Sequence, residues 1–276
     1  MKLEGKNTAR RIVIEIKEKV HTLKEKGITP TLMTCRIGED GSSKAYEKGL
    51  KKRCDEVGIQ MKSYVFSEDD KDKAQLALEE GSKSDEIGGI LLLQPIPKSL
   101  DPKDFIDKIS PKKDVDCVRM ENQSKIYCGD FTGHCPSTPL AVMEILKDYH
   151  LNLSGKNALI INRTTVVGRP LAMMLLKEDA TVTLAHSKTK GLKEMARKAD
   201  YIFTAMGKSH MIDKEWVSPH QYIIDIGIAF DKDGKLTGDV DEKSIKNIVK
   251  GYSPVPGGVG SVTNALLLKQ VLNFYS

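Results

Sequence analysis

The first half of the chain alternates between helix-like and strand-like patterns of apolar residues. Residues 5–26 place Ile12, Ile16 and Val20 on one helical face before Gly27, which predicts an amphipathic helix. The same criteria predict two strands that alternate with two helices. These are the strand Thr31–Ile37, a helix from its cap at Ser42 or Ser43 to about Val57, the strand Gln60–Phe66, and the helix Asp69–Gly81. The continuous apolar run Ile87–Leu93 predicts a strand buried on both faces, and Asp101–Ile109 predicts a helix. This alternation predicts a parallel sheet with right-handed crossovers.

The second half repeats the alternation after a stretch without a clear pattern. Residues 117–135 predict no regular element, and Pro139 precedes a predicted helix that reaches about Tyr149. Further predicted elements are a strand over the apolar run NALII, which ends at Asn162, the helix over LAMMLLK, the strand Ala180–Ala185, a helix near 191–198, the strands Asp200–Ala205 and Gln221–Gly227, a turn at 231–234 and the closing helix Thr263–Phe274. The pattern therefore indicates an α/β protein.

Composition adds few constraints on function. The 276 residues are 39% hydrophobic and 29% charged, as in soluble proteins of two domains, and no apolar stretch is long enough to cross a membrane. The N-terminus lacks a signal-peptide core, so a cytoplasmic protein is expected. The five cysteines form no C-x-x-C pair and indicate neither a disulfide framework nor a metal site. A net charge of +5 with 5% aromatic residues gives no indication of nucleic-acid binding.

The segment ALIINRTTVVGRP, residues 158–170, reads as strand, turn and helix. Such a turn can present backbone N–H groups to a phosphate at a helix N-terminus. The G-x-G-x-x-G fingerprint is missing; Gly168 lies near its last glycine, and Asn162 is a candidate for the left-handed turn position. A nucleotide phosphate site and an ordinary βα unit both remain open from this pattern.

The segment PVPGGVG, residues 254–260, cannot form a helix or a regular strand. Its glycines would permit a close backbone approach to a flat ligand. A rigid turn without any ligand explains the same residues equally well.

Together, five segments carry a resemblance to a known family. PVPGGVG followed by Thr263, KDVD at 113–116, PSTP at 136–139, VVGRP and TVTLAHSKT resemble the bifunctional methylenetetrahydrofolate dehydrogenase/methenyltetrahydrofolate cyclohydrolase family nearly end to end. The resemblance implies two α/β domains with a cleft between them. It places a folate-binding catalytic domain at 1–139, closed by the C-terminal helix 263–276, and a Rossmann-like NAD(P)-binding domain at 140–262. It also implies a tetrahydrofolate one-carbon substrate and a homodimer, with neither nucleic acid nor a membrane as a partner.

Residues with expected roles at the folate follow from this resemblance. Tyr46 and Asp116 match the catalytic positions, and an aspartate suits a pterin because its oxygens can accept from the ring amine and the ring N–H. A packing tyrosine and a loop-capping aspartate are the alternatives. The full set of expected substrate-binding residues is Ser43, Tyr46, Gln94, Asp116, Gly257, Gly258 and Thr263.

Residues expected at the cofactor come mainly from the strand–turn–helix segment. They are Asn162, Arg163, Thr164, Val167, Gly168, Ser187 and Ile228. NADP is expected over NAD, because His186-Ser187-Lys188-Thr189 has no acid to bind ribose hydroxyls and Arg163 suits a 2′-phosphate. A surface ion pair is the alternative role for Arg163.

Two departures from the family pattern change the expected activity. Leu50 stands where the family has a lysine four residues after the tyrosine, and Leu93 stands at its glutamine position, with Gln94 one place later. Serine replaces the usual cysteine at 137, and Ser261 lies where proline is common. We therefore expect a dehydrogenase whose cyclohydrolase activity is weak or absent. The alternatives are a full bifunctional enzyme rescued by Lys51 or Lys48, and a folate- or nucleotide-binding protein without catalysis.

Overall fold

The computed structural model describes residues 1–275, which divide into two compact units. The five-stranded unit contains residues 1–10, 126–129 and 136–263, and the three-stranded unit contains residues 11–125, 130–135 and 264 onward. No helix within residues 1–275 is both long enough and apolar enough to cross a membrane.

The three-stranded unit is built on a parallel sheet in the order β2-β1-β3. Its elements in chain order are α1 (Lys6–Glu25) from residue 11 onward, β1 (Thr31–Ile37), α2 (Gly41–Val57), β2 (Gln60–Phe66), α3 (Lys71–Lys83), β3 (Gly89–Leu92), α4 (Lys103–Ile106) and α5 (Met120–Tyr127) up to residue 125. Short 3-10 turns cover Glu68–Asp70 and Pro111–Lys113. The apolar runs explain the sheet: every residue of β1 and β3 is buried, and the core on one face gathers Met33, Cys35, Ile90 and Phe105.

The five-stranded unit holds a second parallel sheet, in the order β10-β7-β6-β4-β5. Its elements are α6 (Ser137–Asp148), β4 (Asn157–Ile161), α7 (Gly168–Lys177), β5 (Thr181–Ala185), α8 (Leu192–Lys198), β6 (Tyr201–Thr204), β7 (Tyr222–Asp225), β8 (Ala229–Phe230), β9 (Leu236–Thr237), α9 (Glu242–Ile245), β10 (Gly251–Tyr252) and the start of α10 (Gly260–Val271). A 3-10 turn at Leu272–Tyr275 follows α10. Parallel pairing of β4 with β5 and β6 brings the loops that follow these three strands to one edge of the sheet.

Several elements differ from the sequence-based predictions. Residues 117–135 contain the helix α5, and the predicted helix 101–109 is regular only over Lys103–Ile106. The cap of α2 is Asp40, whose side chain accepts from the Ser43 N–H, rather than Ser42 or Ser43. The pattern also missed the β8–β9 hairpin, α9 and β10, whose strands are only two residues long.

Each chain terminus belongs to the unit that is formed mainly by the other half of the chain. Residues 1–10 lie in the five-stranded unit, where the Leu3 N–H donates to the Tyr252 carbonyl at 2.7 Å and the Gly5 N–H to the Gly257 carbonyl at 2.9 Å. The later part of α10 lies in the three-stranded unit, where Gln270 joins Val115 and Cys135 by hydrogen bonds of 2.9 and 2.8 Å. The domain limits at 139 and 262 stay predictions.

Candidate active site

The N-terminus of α2 is tied to the loop that follows β3. Ser43, which is buried, donates from Oγ to the Gln94 carbonyl at 2.7 Å, while its N–H donates to Asp40 Oδ1 at 2.9 Å. The Gln94 side chain is exposed and accepts from the Ile96 N–H at 3.2 Å, next to a cis Gln94–Pro95 peptide. Both residues lie in the three-stranded unit, and their roles toward a substrate remain predictions.

Tyr46 lies one turn after Ser43 on α2. Its hydroxyl donates to Asn264 Oδ1 at 3.1 Å, and 40% of the residue is exposed. Desolvation by the surrounding protein, and then the negative charge of Asp116, raises the pKa of Tyr46 to about 12. Tyr46 is therefore a neutral hydrogen-bond donor at physiological pH.

The first two residues of KDVD at 113–116 stabilise the turn itself. Lys113 Nζ donates to the carbonyls of Gly81 at 3.1 Å and Ser84 at 2.5 Å, and burial lowers its pKa. Asp114, with no exposed surface, accepts from the N–H groups of Val118 and Arg119 and from Asn122 Nδ2, all at 2.9–3.0 Å. Asp114 thus performs the loop-capping role that was the alternative for Asp116.

Asp116 has a different environment. Its side chain is partly buried, and within residues 1–275 no group donates a hydrogen bond to its carboxylate. Desolvation, and then the charge of Asp114, raises the pKa of Asp116 to about 7. The next residue, Cys117, has a left-handed backbone with φ of 56°, which is unusual for a residue with a Cβ. A carboxylate with free acceptor oxygens is thus held by a turn whose other polar groups are already paired.

Leu50 and Leu93 are closed to water. Leu50 is 0% exposed and Leu93 is 4% exposed. Leu50 lies three residues after Glu47, which accepts from Thr34 Oγ1 at 2.8 Å and Arg36 Nε at 3.1 Å, so this face of α2 packs on β1. Neither leucine can donate or accept a proton.

The two lysines that could substitute for the family lysine do not share this face. Lys51 is half-exposed and forms an ion pair with Asp55, one turn further along α2. Lys48 is exposed and lies two residues before Leu50, roughly 160° from it around the helix. The side chain of Lys51 is therefore directed along the solvent side of α2.

In the five-stranded unit, Asn162 organises the turn between β4 and α7. Its Oδ1 accepts from the Thr164 N–H at 2.9 Å, Thr164 Oγ1 at 2.8 Å and the Gly168 N–H at 3.1 Å. Its Nδ2 donates to the Ala205 carbonyl at 2.7 Å, and Val167 N–H donates to Thr164 Oγ1 at 3.2 Å. Asn162 does not have a left-handed backbone, so that prediction was wrong: its side chain, and not its φ angle, closes the turn.

Gly168 is required by close packing of α7 on the end of β4. A Cβ at this position would lie 2.3 Å from the Asn162 carbonyl oxygen, which no side chain can tolerate. This corresponds to the last glycine of a dinucleotide-binding turn, which permits close helix–strand packing.

Arg163 and Ser187 follow neighbouring parallel strands, β4 and β5, and both are exposed. Within residues 1–275, the Arg163 guanidinium has no hydrogen bond or ion pair. The loop after β5 is ordered by Thr189, whose Oγ1 accepts from the His186 N–H at 2.9 Å. Ile228, after β7, is 64% exposed, and its contact with the cofactor stays a prediction.

Two buried aspartates at the strand ends were missed by the sequence reasoning. Asp239 is 0% exposed and accepts from Thr204 Oγ1 and from the N–H groups of Met206 and Lys208 at 2.6–2.7 Å. Asp225 is 2% exposed and accepts from the N–H groups of Gly227, Asp239 and Val240 at 2.9–3.1 Å. An aspartate inside the apolar strand QYIIDIG was the available signal.

The glycines of PVPGGVG are explained by the turn. Gly257 has φ of +103°, and a Cβ on Gly258 would lie 2.4 Å from the Pro254 carbonyl oxygen. Ser261 Oγ donates to the Gly258 carbonyl at 2.6 Å, and Thr263 Oγ1 to the Gly260 carbonyl at 3.2 Å. These contacts favour the rigid turn as the reason for both glycines, while substrate binding by Gly257, Gly258 and Thr263 stays a prediction.

Comparisons with known proteins match nearly the whole chain. Residues 3–116 match the family model of the tetrahydrofolate dehydrogenase/cyclohydrolase catalytic domain, and residues 136–276 match that of its NAD(P)-binding domain. The bifunctional protein FolD of Clostridium botulinum is 43% identical over 272 residues, covering 98% of this chain and 96% of the relative.

Solved structures agree with this result. The bifunctional FolD dehydrogenase/cyclohydrolase of Campylobacter jejuni has a TM-score of 0.96 at 35% identity, covering 99% of this chain and 98% of its own. The FolD of Trypanosoma brucei, solved with NADP cofactor and inhibitor, has a TM-score of 0.92 at 28% identity, covering 100% and 97%. The chain therefore belongs to the tetrahydrofolate dehydrogenase/cyclohydrolase family.

Proposed function

We propose that this protein oxidises 5,10-methylenetetrahydrofolate to 5,10-methenyltetrahydrofolate with NADP as the hydride acceptor, and that its cyclohydrolase activity is weak or absent. Hydride leaves a carbon between two nitrogens, and a nitrogen lone pair stabilises the resulting cation. No proton has to be removed, so the protein mainly has to hold two rings at close range. In this proposal the free oxygens of Asp116 hold the pterin, and the neutral Tyr46 hydroxyl turns its single hydrogen from Asn264 Oδ1 toward the bound ring.

The observation that carries the second half of the proposal is the complete burial of Leu50. Hydrolysis of the methenyl cation needs a proton to leave the attacking water and another to reach a ring nitrogen. General acid–base groups typically contribute about 10²–10⁴-fold to such steps. The apolar Leu50 and Leu93 cannot supply this, and the ion pair of Lys51 with Asp55 engages the nearest lysine elsewhere. The two activities of the family should therefore separate in this protein.

A spectrophotometric assay with purified protein tests both halves. Reduced NADP should form, and methenyl product should accumulate and decay only at the rate measured in buffer alone. Absence of NADP reduction in folded protein would contradict the dehydrogenase proposal. Wild-type hydrolysis well above the buffer rate would contradict the cyclohydrolase proposal whatever the variants do.

A gain-of-function variant sharpens this test. Leu50→Lys with Leu93→Gln should raise hydrolysis by about 10²-fold or more, and by more than the product of the two single changes, because the groups act together. Leu76→Lys is the matched control, since Leu76 is 55% exposed on α3 of the same unit. Circular dichroism must show that the buried lysine leaves the fold intact.

The second candidate is the full bifunctional activity. The observation that favours it is that relatives 41–43% identical to this chain are named bifunctional proteins. It would require another proton carrier, and Lys48→Gln would then abolish hydrolysis while leaving NADP reduction unchanged. Under our main proposal Lys48→Gln changes neither activity.

The preference for NADP rests on the edge formed by β4 and β5. Arg163 is exposed and has no side-chain partner among the residues that the structure describes, and the adjacent Ser187–Lys188 segment carries no acid. Arginine forms bidentate bonds with a phosphate, whereas an acid there would favour the free ribose hydroxyls of NAD. The ratio of kcat/KM for NADP over NAD should exceed one and fall by roughly tenfold or more in Arg163→Ala. Arg197→Ala, an exposed arginine of the same unit, should leave the ratio unchanged.

We also propose a homodimer, supported by the outer strand β5. Within the described residues β5 pairs only with β4, and two leucines of β5 and α7, Leu184 and Leu176, are 40% and 48% exposed. An open, partly apolar strand edge favours association. Light scattering after gel filtration should give twice the chain mass of 30.6 kDa, and Leu184→Arg should shift it toward the monomer. A monomeric wild type at assay concentration would contradict this.

A further inference from the structure

The three-stranded unit contains a polar cavity that the proposed reaction does not use. Its volume is about 350 Å³, and its wall includes Lys112, Asn122, Lys125, Thr132, His134 and Phe274. Asn122 and His134 are buried, at 3% and 5% exposed, while Lys112 and Lys125 are exposed. The polar cavity thus combines a buried imidazole with two accessible cations.

His134 has one nitrogen paired and one without a partner. Nε2 lies 2.9 Å from the Lys112 carbonyl, and a carbonyl can only accept, so Nε2 carries a hydrogen. Nδ1 is buried and has no hydrogen-bond partner within residues 1–275. Buried polar atoms are almost always hydrogen-bonded in folded proteins. In the neutral ring, Nδ1 is an acceptor that requires a donor such as a hydroxyl group.

The charges around the polar cavity favour an anion. Lys112 and Lys125 make no ion pair within the described residues, and the Lys125 side chain lies over Gly133, next to His134. The acid in the wall, Glu121, is already neutralised by Arg119, which donates to it from Nε at 3.1 Å and from Nη2. Asn122 is fixed by donating to the Pro111 carbonyl and to Asp114, both at 2.9 Å. The two lysines therefore contribute uncompensated positive charge.

We propose that the polar cavity binds a small oxyanion that also carries a hydroxyl group, such as hydrogen phosphate or a hydroxycarboxylate. The lysine ammonium groups pair with the anionic oxygens, and a small movement of the imidazole opens the buried His134 Nδ1 to the cavity, where it accepts from the hydroxyl. Sulfate and acetate carry charge but no hydroxyl at neutral pH, so they lack the second contact. The volume of the cavity accommodates either source of the hydroxyl.

The test is an NMR titration of the full-length protein at constant ionic strength, following the Gly133 and His134 amides and the His134 ring nitrogens. Phosphate and glycerate are the hydroxyl-bearing probes, and sulfate, acetate and chloride lack a hydroxyl. Saturable shifts should occur with phosphate or glycerate, at an affinity about tenfold above that of sulfate or acetate. Tighter binding of phosphate would identify hydrogen phosphate as the preferred ligand, and tighter binding of glycerate would identify a hydroxycarboxylate. Shifts that never saturate, or that are equal for chloride, would overturn the site, and equal affinity for sulfate would overturn the role of Nδ1.

Two variants separate the contacts. His134→Gln keeps a donor for the Lys112 carbonyl but removes Nδ1, so phosphate affinity should fall to that of sulfate. Lys112→Gln with Lys125→Gln should weaken both anions by about tenfold or more without disturbing the interior. Lys98→Gln, an exposed lysine of the same unit outside the cavity wall, should bind as the wild type does. If His134→Gln does not fold, the double variant Lys112→Gln with Lys125→Gln still tests the proposal. An unchanged affinity for phosphate in that variant would contradict it.

Discussion

The two units surround their buried acids differently. In the five-stranded unit, Asp225 and Asp239 each accept three hydrogen bonds at the ends of β6, β7 and β9. In the three-stranded unit, Asp116 accepts none within the described residues. Burial raises the pKa of both Asp225 and Asp116 to about 7, although three N–H donors partly oppose the rise at Asp225. A similar pKa thus arises in one aspartate that is fully paired and in one that is not.

The difference indicates which acids stabilise the protein and which are disposed to bind a ligand. Removing a paired buried acid leaves several N–H groups unsatisfied, whereas removing an unpaired one leaves nothing unsatisfied in the protein. The KDVD turn repeats the contrast over three residues, since Asp114 is paired with three donors and Asp116 is not. Variants of each class should therefore affect different measurements.

The largest expected effect is on activity, from Asp116→Ala. If Asp116 accepts two hydrogen bonds from the pterin, their loss removes roughly 1.5–3 kcal/mol each. The kcat/KM for methylenetetrahydrofolate should fall by roughly 10²–10⁴-fold, with the free energy of unfolding unchanged or higher. Steady-state kinetics and urea denaturation check this together. A variant that keeps its activity, or that loses stability instead, would mean that Asp116 stabilises the protein as the paired acids do.

A smaller effect is expected on stability, from Asp239→Asn. The amide group would point at N–H donors that the carboxylate now satisfies, which should cost roughly 2–4 kcal/mol of unfolding free energy. Because these donors belong to the loop after β6, next to the Ala205 carbonyl that binds Asn162, the KM for NADP should rise while the KM for the folate does not. Asp213→Asn, an exposed acid of the same unit, is the control. Equal stability of both variants would contradict the stabilising role of the paired Asp239.

The pH dependence of folate binding should show a third, intermediate effect. The pKa of Asp116 is about 7, raised by burial, so a fraction of the carboxyl group is protonated near neutrality. Two donors on the pterin require the ionised form, and affinity should therefore fall as the pH is lowered through about 7, by up to tenfold per pH unit. Binding of a folate measured by fluorescence across this range checks the sign. Asp116→Asn should bind the folate weakly, with an affinity that does not change with pH. If this variant keeps the wild-type pH profile, the pH dependence belongs to another group.

The difference between local and non-local contacts decides which parts of the structure could be predicted from the sequence. β1 and β2 were predicted at their observed limits because their apolar patterns and flanking glycines are local signals. The helix α5 was missed because its sequence MENQSKIY has few apolar residues, and its first turn depends on Asp114, which accepts from the Val118 and Arg119 N–H groups ahead of it. Leu50 and Leu93 could be identified as departures from the family, but their burial required the structure.

Site residues follow the same rule. The residues of the turn between β4 and α7 were predicted from a compact motif, and their contact with a cofactor stays a prediction. The left-handed backbone predicted for Asn162 was wrong, and nothing in the sequence indicated its hydrogen bond to Ala205, which is 43 residues away. The pairing of Asp225 with the backbone of Asp239 spans 14 residues and was not visible from either strand alone. Hydrogen bonds between separate elements are therefore the part of the site that sequence patterns do not specify.

The smallest expected effect comes from Lys51→Gln, which tests whether a charged group already paired within the protein takes part in the reaction. Lys51 directly follows Leu50, yet it pairs with Asp55 on the solvent side of α2. An exposed i,i+4 pair of this kind contributes only about 0.3–0.5 kcal/mol. Dehydrogenase kcat/KM and the rate of methenyl hydrolysis should both stay within about twofold of wild type, and the same should hold for Asp55→Asn. A loss of hydrolysis in Lys51→Gln that Asp55→Asn does not share would mean that this lysine reaches the folate, and that the apolar Leu50 does not close the site to proton transfer.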